Sequence, residues 1–214
     1  TPLAHLHQRL ETAAGRTELA DAQSAIDAAT ENVAEILHIF DAMLRLSAIE
    51  VRSSNIGFAE VDLVEIVDRI TDAYRPDIEA ATQSFDVEVV KVPPVWGDSA
   101  LIAQALGNLL ENALRHGGPD ATVKVRLYAD SGSARLEVTD SGPGIPQADR
   151  ARVLRPFERV DASRTTPGAG LGLSIVSAIV RLHGARLLLE DAGPGLKVCV
   201  IWPALDRIKL RSGT

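Results

Sequence analysis

One cysteine, Cys199, stands among the 214 residues. No internal disulfide can form, no cysteine-based metal site is suggested, and a reducing compartment fits. No run of about 18 apolar residues exists, so nothing in the chain reads as a membrane span. Residues 1–14 are amphipathic and polar and show no signal peptide. Thr1-Pro2-Leu3 lacks an initiator methionine and opens inside a helical pattern, so the chain reads as a fragment of a longer protein. A basic surplus is missing too: the net charge is −7. That disfavours a nucleic-acid binder. It does not exclude a nucleotide site, where Mg2+ and a few local cations can hold phosphates. No Gly-Lys pair occurs, which excludes a Walker A loop. No internal repeat is visible.

What is present is ordinary globular composition, 46% hydrophobic and 24% charged. It is enough for one large domain or two small ones. Leu3, Leu6, Leu10 and Ala13 recur at three- and four-residue steps. After Gly15-Arg16-Thr17 the stepping resumes through Leu19, Ala22, Ile26, Ala29, Val33, Ile36, Phe40 and Met43. This period describes a helix burying a narrow seam. Leu37 and Leu44 widen the stripe, and a helix over residues 18–50 would be about 50 Å long. A single hairpin cannot cover that stripe from both sides. A second copy could, giving a four-helix bundle by two-fold symmetry. The plainer alternative is a long helix packed on its own globular domain.

Residues 51–60, with Ser53-Ser54-Asn55 and Gly57, break the pattern and mark a domain boundary. Asp62-Leu63-Val64-Glu65 then resembles a capping box. It opens an amphipathic helix through Leu63, Ile66, Val67, Ile70 and Tyr74, which Pro76 is expected to kink or restart. Phe85, Val87 and Val89 alternate with acids as a half-buried strand. Residues 99–115 carry an apolar helical stripe. Val123, Val125 and Leu127 mark a strand joined through Asp130-Ser131-Gly132-Ser133 to its partner at Leu136 and Val138. A helix over 171–183 ends at Gly184. A last hairpin turns at Gly193-Pro194-Gly195. This mixture predicts an α+β chain: an N-terminal helical hairpin, then an α/β sandwich with helices on one face of a mixed sheet.

Four clusters carry chemistry. Asn108 and Asn112, four apart, share a helix face. Their amide oxygens can serve Mg2+ beside phosphate oxygens, although a polar helix face is the plain alternative. Asp140-Ser141-Gly142-Pro143-Gly144 follows a strand. Its glycines admit a flat ligand, and the acceptor-only carboxylate can take the exocyclic amine of adenine. Alone it is also an ordinary loop. Arg155-Pro156-Phe157-Glu158-Arg159 is a short helix end with an aromatic anchor. Gly168-Ala169-Gly170-Leu171-Gly172-Leu173-Ser174 opens a helix, where free N–H groups and the dipole favour an anion.

In this order and spacing the clusters resemble the N, first glycine, F and second glycine boxes of the sensor histidine kinases. These belong to the ATPase superfamily shared with the gyrase, Hsp90 and mismatch-repair ATPases. Thr1-Pro2-Leu3 resembles the tail of the family's H box, and the heptad region its dimerisation hairpin. The resemblance implies residues 1–52 as a dimerisation and histidine-phosphotransfer hairpin, 53–60 as linker, 61–205 as an ATP-binding catalytic domain, and 206–214 as a tail. It implies that Asn112 ligates Mg2+, with Asn108 beside the γ-phosphate and metal. Arg115 would reach the phosphates and His116 would pack on adenine. Asp140 would read the adenine amine, with Gly142 and Gly144 lining the base pocket. Residues 145–169 would form an ATP lid anchored by Phe157, with Arg159 and Arg164 as phosphate contacts. Gly168, Gly170, Leu171 and Gly172 would hinge the lid and cradle the phosphates.

The family's phosphoacceptor lies four residues before the position matching Thr1, so it precedes this sequence. Thr1 itself matches a threonine that helps dephosphorylate the partner. The expected protein is the cytoplasmic portion of an inner-membrane bacterial sensor. It would be a homodimer through the hairpin and would pass phosphoryl groups from ATP to histidine, then to an aspartate of a response regulator. Membrane contact would come only through segments outside this chain. His5 and His7 stand roughly 80° off the acceptor face and read as solvated. His38 reads as structural, and His183 as a helix-terminal residue favoured by the dipole. Two other functions stay open: an anti-sigma-type serine kinase, against which the long heptad hairpin argues, and a nucleotide-binding dimeric scaffold without transfer.

Overall fold

The computed structural model describes residues 57–81, 84–118, 120–156, 158 and 171–203. The expected hairpin over 1–52, the tail over 206–214 and most of the expected lid lie outside them. Among the described residues the order is β1 (Ala59–Val61), α1 (Leu63–Ala80), β2 (Ser84–Val89), β3 (Val95–Gly97), α2 (Ser99–Gly117), β4 (Thr122–Asp130), β5 (Ser133–Asp140), α3 (Gly172–Leu182), β6 (Arg186–Asp191) and β7 (Leu196–Trp202).

Each helix starts where its sequence can satisfy or spare the orphan N–H groups. Asp62 caps α1 by accepting from the Val64 N–H at 2.8 Å. Asp98 caps α2 by accepting from Ala100 and Leu101 at 3.0 and 3.1 Å. The α2 stripe of Leu101, Ile102, Ala105, Leu106, Leu109, Leu110 and Ala113 is buried. Fully burying one such leucine stabilises by about 1.5–3 kcal/mol. Pro76 does not restart α1, which runs through it unbroken. Ile66 and Val67 upstream and Ile78 downstream are buried in one core. Keeping all of them there offsets the ~3 kcal/mol that an internal proline costs.

The five-stranded sheet has the order β2-β4-β5-β7-β6. β2 runs parallel to β4, and the other neighbours are antiparallel. Helices α1, α2 and α3 pack on it. Val123, Val125, Leu127, Leu136, Val138, Val198 and Val200 supply the covered face. The opposite face carries Lys124 between Asp86 and Glu88, Arg126 against Glu88, and Lys197 against Glu190. The sheet is therefore mixed and covered on one side. Sequence reading missed the separate pair β1–β3. Both strands have three residues, and Pro93-Pro94 precedes β3, so neither offers enough alternation to register. Ala59 and Glu60, in the expected linker, form part of β1.

His183 ends α3, the helix-terminal position expected, but it is not held as a cation favoured by the dipole. It is 5% exposed. Its Nδ1 donates to the Ile179 carbonyl at 2.7 Å, and its Nε2 accepts from the Asp98 N–H at 3.0 Å. Only the neutral ring can do both, and burial pushes its pKa below the ordinary value. Gly97 is a glycine because a Cβ there would lie 2.6 Å from the His183 ring.

Protonation of His183 couples stability to pH. The unfolded chain takes up a proton near 6.5, while the folded ring resists it. The histidine's contribution is therefore complete above that value and declines as pH falls below it. Urea melts from pH 7.5 to pH 5 should show that decline. His183→Leu should be less stable at pH 7.5 and lose the part of the slope between pH 6.5 and 5.

Candidate functional site

The site elements meet where β5 ends, β4 and β7 begin, α2 ends and α3 starts. Asp140 closes β5 opposite Val123, the second residue of β4. Its side chain is buried, and burial raises its pKa above the ordinary carboxylate value, opposed by N–H donors from Gly142 and Leu196. Both donors use Oδ1, at 2.9 and 3.4 Å. Oδ2 takes no hydrogen bond among the described residues. One oxygen holds the carboxylate in place and the other can accept from a ligand amine.

The loop after Asp140 is clamped on two sides. Ser141 exchanges two hydrogen bonds with Thr122, N–H to carbonyl at 3.1 Å and Thr122 N–H to Oγ at 2.9 Å. A Cβ on Gly142 would lie 2.6 Å from the His116 carbonyl, so the loop backbone lies against the last turn of α2. Gly144 has φ +70° and faces the Gly195 carbonyl, which a Cβ would approach to 2.7 Å. Sequence analysis saw Gly193-Pro194-Gly195 only as a turn. The structure makes it a wall of the site. Gly195, at φ +110°, lies so close to the Asp140 carbonyl that a Cβ would fall within 1.7 Å of it. Leu196 then donates to Asp140 Oδ1. The signal available in sequence was a pair of glycines bracketing a proline, which any hairpin turn can show.

Helix α2 carries both asparagines on one face, Asn108 at its middle and Asn112 one turn nearer its C-terminal end. Asn108 donates Nδ2 to the Gln104 carbonyl at 3.1 Å, which leaves Oδ1 as its acceptor. Asn112 turns Oδ1 toward the start of α3, where a Cβ on Gly172 would lie 4.0 Å away. Arg115 is exposed and His116 half-buried in the next turn. Helix α3 begins after Leu171, which is 3% exposed and provides no side-chain cap. The Ser174 hydroxyl donates back to the Leu171 carbonyl at 2.8 Å. The first turn of α3 has no side-chain cap, and Asn112 Oδ1 lies near it across Gly172, an arrangement suited to an anion and its cation.

The expected lid is described only at its beginning. The Arg150 guanidinium donates to the Ile145 and Leu189 carbonyls at 3.1 and 3.2 Å, and Val153 is buried. That stretch is tied to β6. Thr1, Phe157, Arg159, Arg164, Gly168 and Gly170 lie outside the described residues. Asn112, Asp140, Gly142, Gly144, Leu171 and Gly172 are placed around one end of the sheet, and Asn108 lies one turn back along α2.

A family profile described as histidine kinase-, DNA gyrase B- and HSP90-like ATPase matches residues 97–206. The chain belongs to this ATPase family. It is 44% identical over 147 residues to a signal transduction histidine-protein kinase/phosphatase MprB of Mycobacterium sp. (strain KMS), a match covering 67% of this chain and 27% of that protein. The solved structure of a mycobacterial sensor histidine kinase MprB has 37% identity and a TM-score of 0.60, covering 68% of this chain and 97% of that one. Histidine kinase ThkA, solved in complex with response regulator protein TrrA, shares the fold at 20% identity with a TM-score of 0.75. That match covers 97% of this chain and 59% of the other. ATP binding by this family accords with a buried carboxylate at the end of β5 and an uncapped helix α3.

The Gly195 contact yields a prediction specific to this ATPase site. Gly195→Ala should displace Asp140 and weaken binding of an ATP analogue by more than about tenfold, ~1.4 kcal/mol. Isothermal titration would measure it. Unchanged affinity would show that the β6–β7 turn is not a wall of the site.

Proposed function

We propose that this chain is the catalytic portion of a two-component sensor histidine kinase. In this reading it binds Mg-ATP and delivers the γ-phosphoryl group to a histidine upstream of Thr1. The group then passes to an aspartate of a response regulator. The observation that carries the reading is Asp140, buried with Oδ1 held by two backbone N–H groups and Oδ2 left to accept. Oδ2 takes the adenine amine, and a guanine carbonyl at that edge would meet acceptor against acceptor. The MprB and ThkA relatives support a histidine acceptor and a response-regulator partner.

The residues fit a hard cation: two neutral amide oxygens, from Asn108 and Asn112, on one helix face. Mg2+ held there by Asn108 and Asn112 would supply neutralisation of phosphate charge. The chain's own contributions are positional. Helix α3 offers first-turn N–H groups to the phosphates. Gly142 and Gly144 let the loop after Asp140 pass close to the His116 and Gly195 carbonyls, which holds the loop beside the expected base pocket. Arg115, with Arg159 and Arg164 from the lid, would add cationic contacts, His116 would pack on the base, and Phe157 would anchor the lid. A neutral imidazole nitrogen attacks the γ-phosphorus in line, the bond to the β-bridging oxygen breaks, and ADP leaves. Residues 1–52 would form the dimerising hairpin on which the response regulator docks, with Thr1 serving dephosphorylation. The parent would be a homodimeric, inner-membrane protein with this portion in the cytoplasm. Among the described residues no helix is long and apolar enough to cross a membrane.

Two experiments test this reading. With γ-labelled ATP and Mg2+, the chain extended upstream by its native residues should take acid-labile label, and the chain as written should not. Label on the shorter chain would place the acceptor within residues 1–214 and overturn the alignment of Thr1. Binding without label on either would favour a scaffold. Asp140→Asn supplies the second test. Because the folded carboxyl has a raised pKa, its stabilising influence is confined to low pH. Stability is lost as pH rises from 3.8 through the folded value. The variant should therefore melt no lower, and by this argument higher, than wild type at pH 7 without nucleotide. It should also lose ATP binding by at least about a hundredfold, since its amide would oppose the adenine amine.

A further inference from the structure

Gly57 and Phe58 are the first described residues downstream of the expected hairpin, and both rest on the body of the catalytic domain. Gly57, at φ +96°, packs against Asp98, whose Oδ2 would lie 3.2 Å from a Cβ at this position. The Phe58 ring stacks on His183 with centroids 4.7 Å apart and planes 23° from parallel. Ala59 then pairs with Gly97 as β1 joins β3. Three consecutive residues are thus attached by a close approach, a ring stack and a strand ladder.

The two anchor residues are not independent. His183 Nε2 accepts the backbone N–H of Asp98 at 3.0 Å, while the Asp98 carboxylate caps α2. Asp98 marks the start of the helix that carries Asn108 and Asn112. His183 marks the end of the helix that opens at Gly172. The connector therefore touches both site helices at their far ends, away from the residues assigned to ATP. A leucine or phenylalanine at 183 would fill the same core but could not satisfy the Asp98 N–H. A histidine fixed by hydrogen bonds on both nitrogens is a rigid surface for an aromatic partner.

We propose that the Phe58–His183 stack is a clasp that sets the downstream limit of any hinge between hairpin and catalytic domain at Gly57. Phe58 is a positioning residue for phosphoryl transfer, acting through His183. It orients the loaded ATP site toward the acceptor helix and leaves nucleotide affinity alone. This inference rests on the histidine-kinase reading. Releasing the clasp lengthens the tether by residues that each span up to ~3.6 Å. A longer, looser tether lowers the fraction of time in which donor and acceptor are aligned.

The test uses the chain extended upstream by its native residues, in wild-type, Phe58→Ala and Phe58→Tyr forms, with γ-labelled ATP and Mg2+. Phe58→Ala should bind an ATP analogue within about twofold of wild type and lose about fivefold or more in the labelling rate at saturating ATP. Phe58→Tyr, which keeps the ring, should recover the wild-type rate. Should Phe58→Ala not fold, Phe58→Leu keeps apolar bulk without an aromatic face and carries the same comparison. A wild-type rate in the ring-less variant overturns the clasp. So does a loss of rate matched by a loss of affinity, which would make Phe58 a prop of the domain rather than a positioning residue. Failure of the underlying kinase reading appears separately, as wild-type protein that binds nucleotide and takes no label, and it removes the assignment with it.

Discussion

In the ATP-binding reading proposed here, Asp140 is buried beside the base and keeps one carboxylate oxygen open, and much of the described structure serves that arrangement. Placing an acid at the end of β5 exposes it to desolvation, which raises its pKa. The Gly142 and Leu196 N–H groups oppose that rise from one side only. Their approach requires the β6–β7 turn to press on the Asp140 backbone, which only a glycine at 195 allows. The antiparallel ladder between β5 and β7 brings that turn into place. The sheet topology is therefore part of the recognition chemistry.

A second division of labour lies in α2 and α3. Each is held at one end by conventional means: the Asp98 cap on α2, and for α3 the His183 backbone N–H bonded to the Ile179 carbonyl, with Gly184 following at φ +62°. Away from those ends, α2 carries the Asn108 and Asn112 amides on one face, and α3 opens without a side-chain cap. In the proposed clasp, this separation would let a change at the connector alter presentation of the site without altering its affinity.

Much of this was legible in the primary structure. Asn108 and Asn112 lie four apart inside a strong apolar stripe, so their common face followed from helical period alone. The strand before Asp140 and the helix after Gly170-Leu171 were equally plain. Pro76 does not restart α1; its local cost is intrinsic, whereas the burial that offsets it involves residues on both sides of the proline. His183 is the helix end that its sequence position indicated, but its neutral state depends on burial and on Asp98, 85 residues away.

The sequence by itself determined the element types, the order of the chemical clusters and the family, because period, capping and glycine spacing are local properties. Tertiary structure alone decided which oxygen of Asp140 is free, why Gly97 and Gly195 carry no side chain, and where the connector meets the domain. Each of these depends on a contact between segments distant in the chain, and no local pattern encodes the distance at which two backbones will pass.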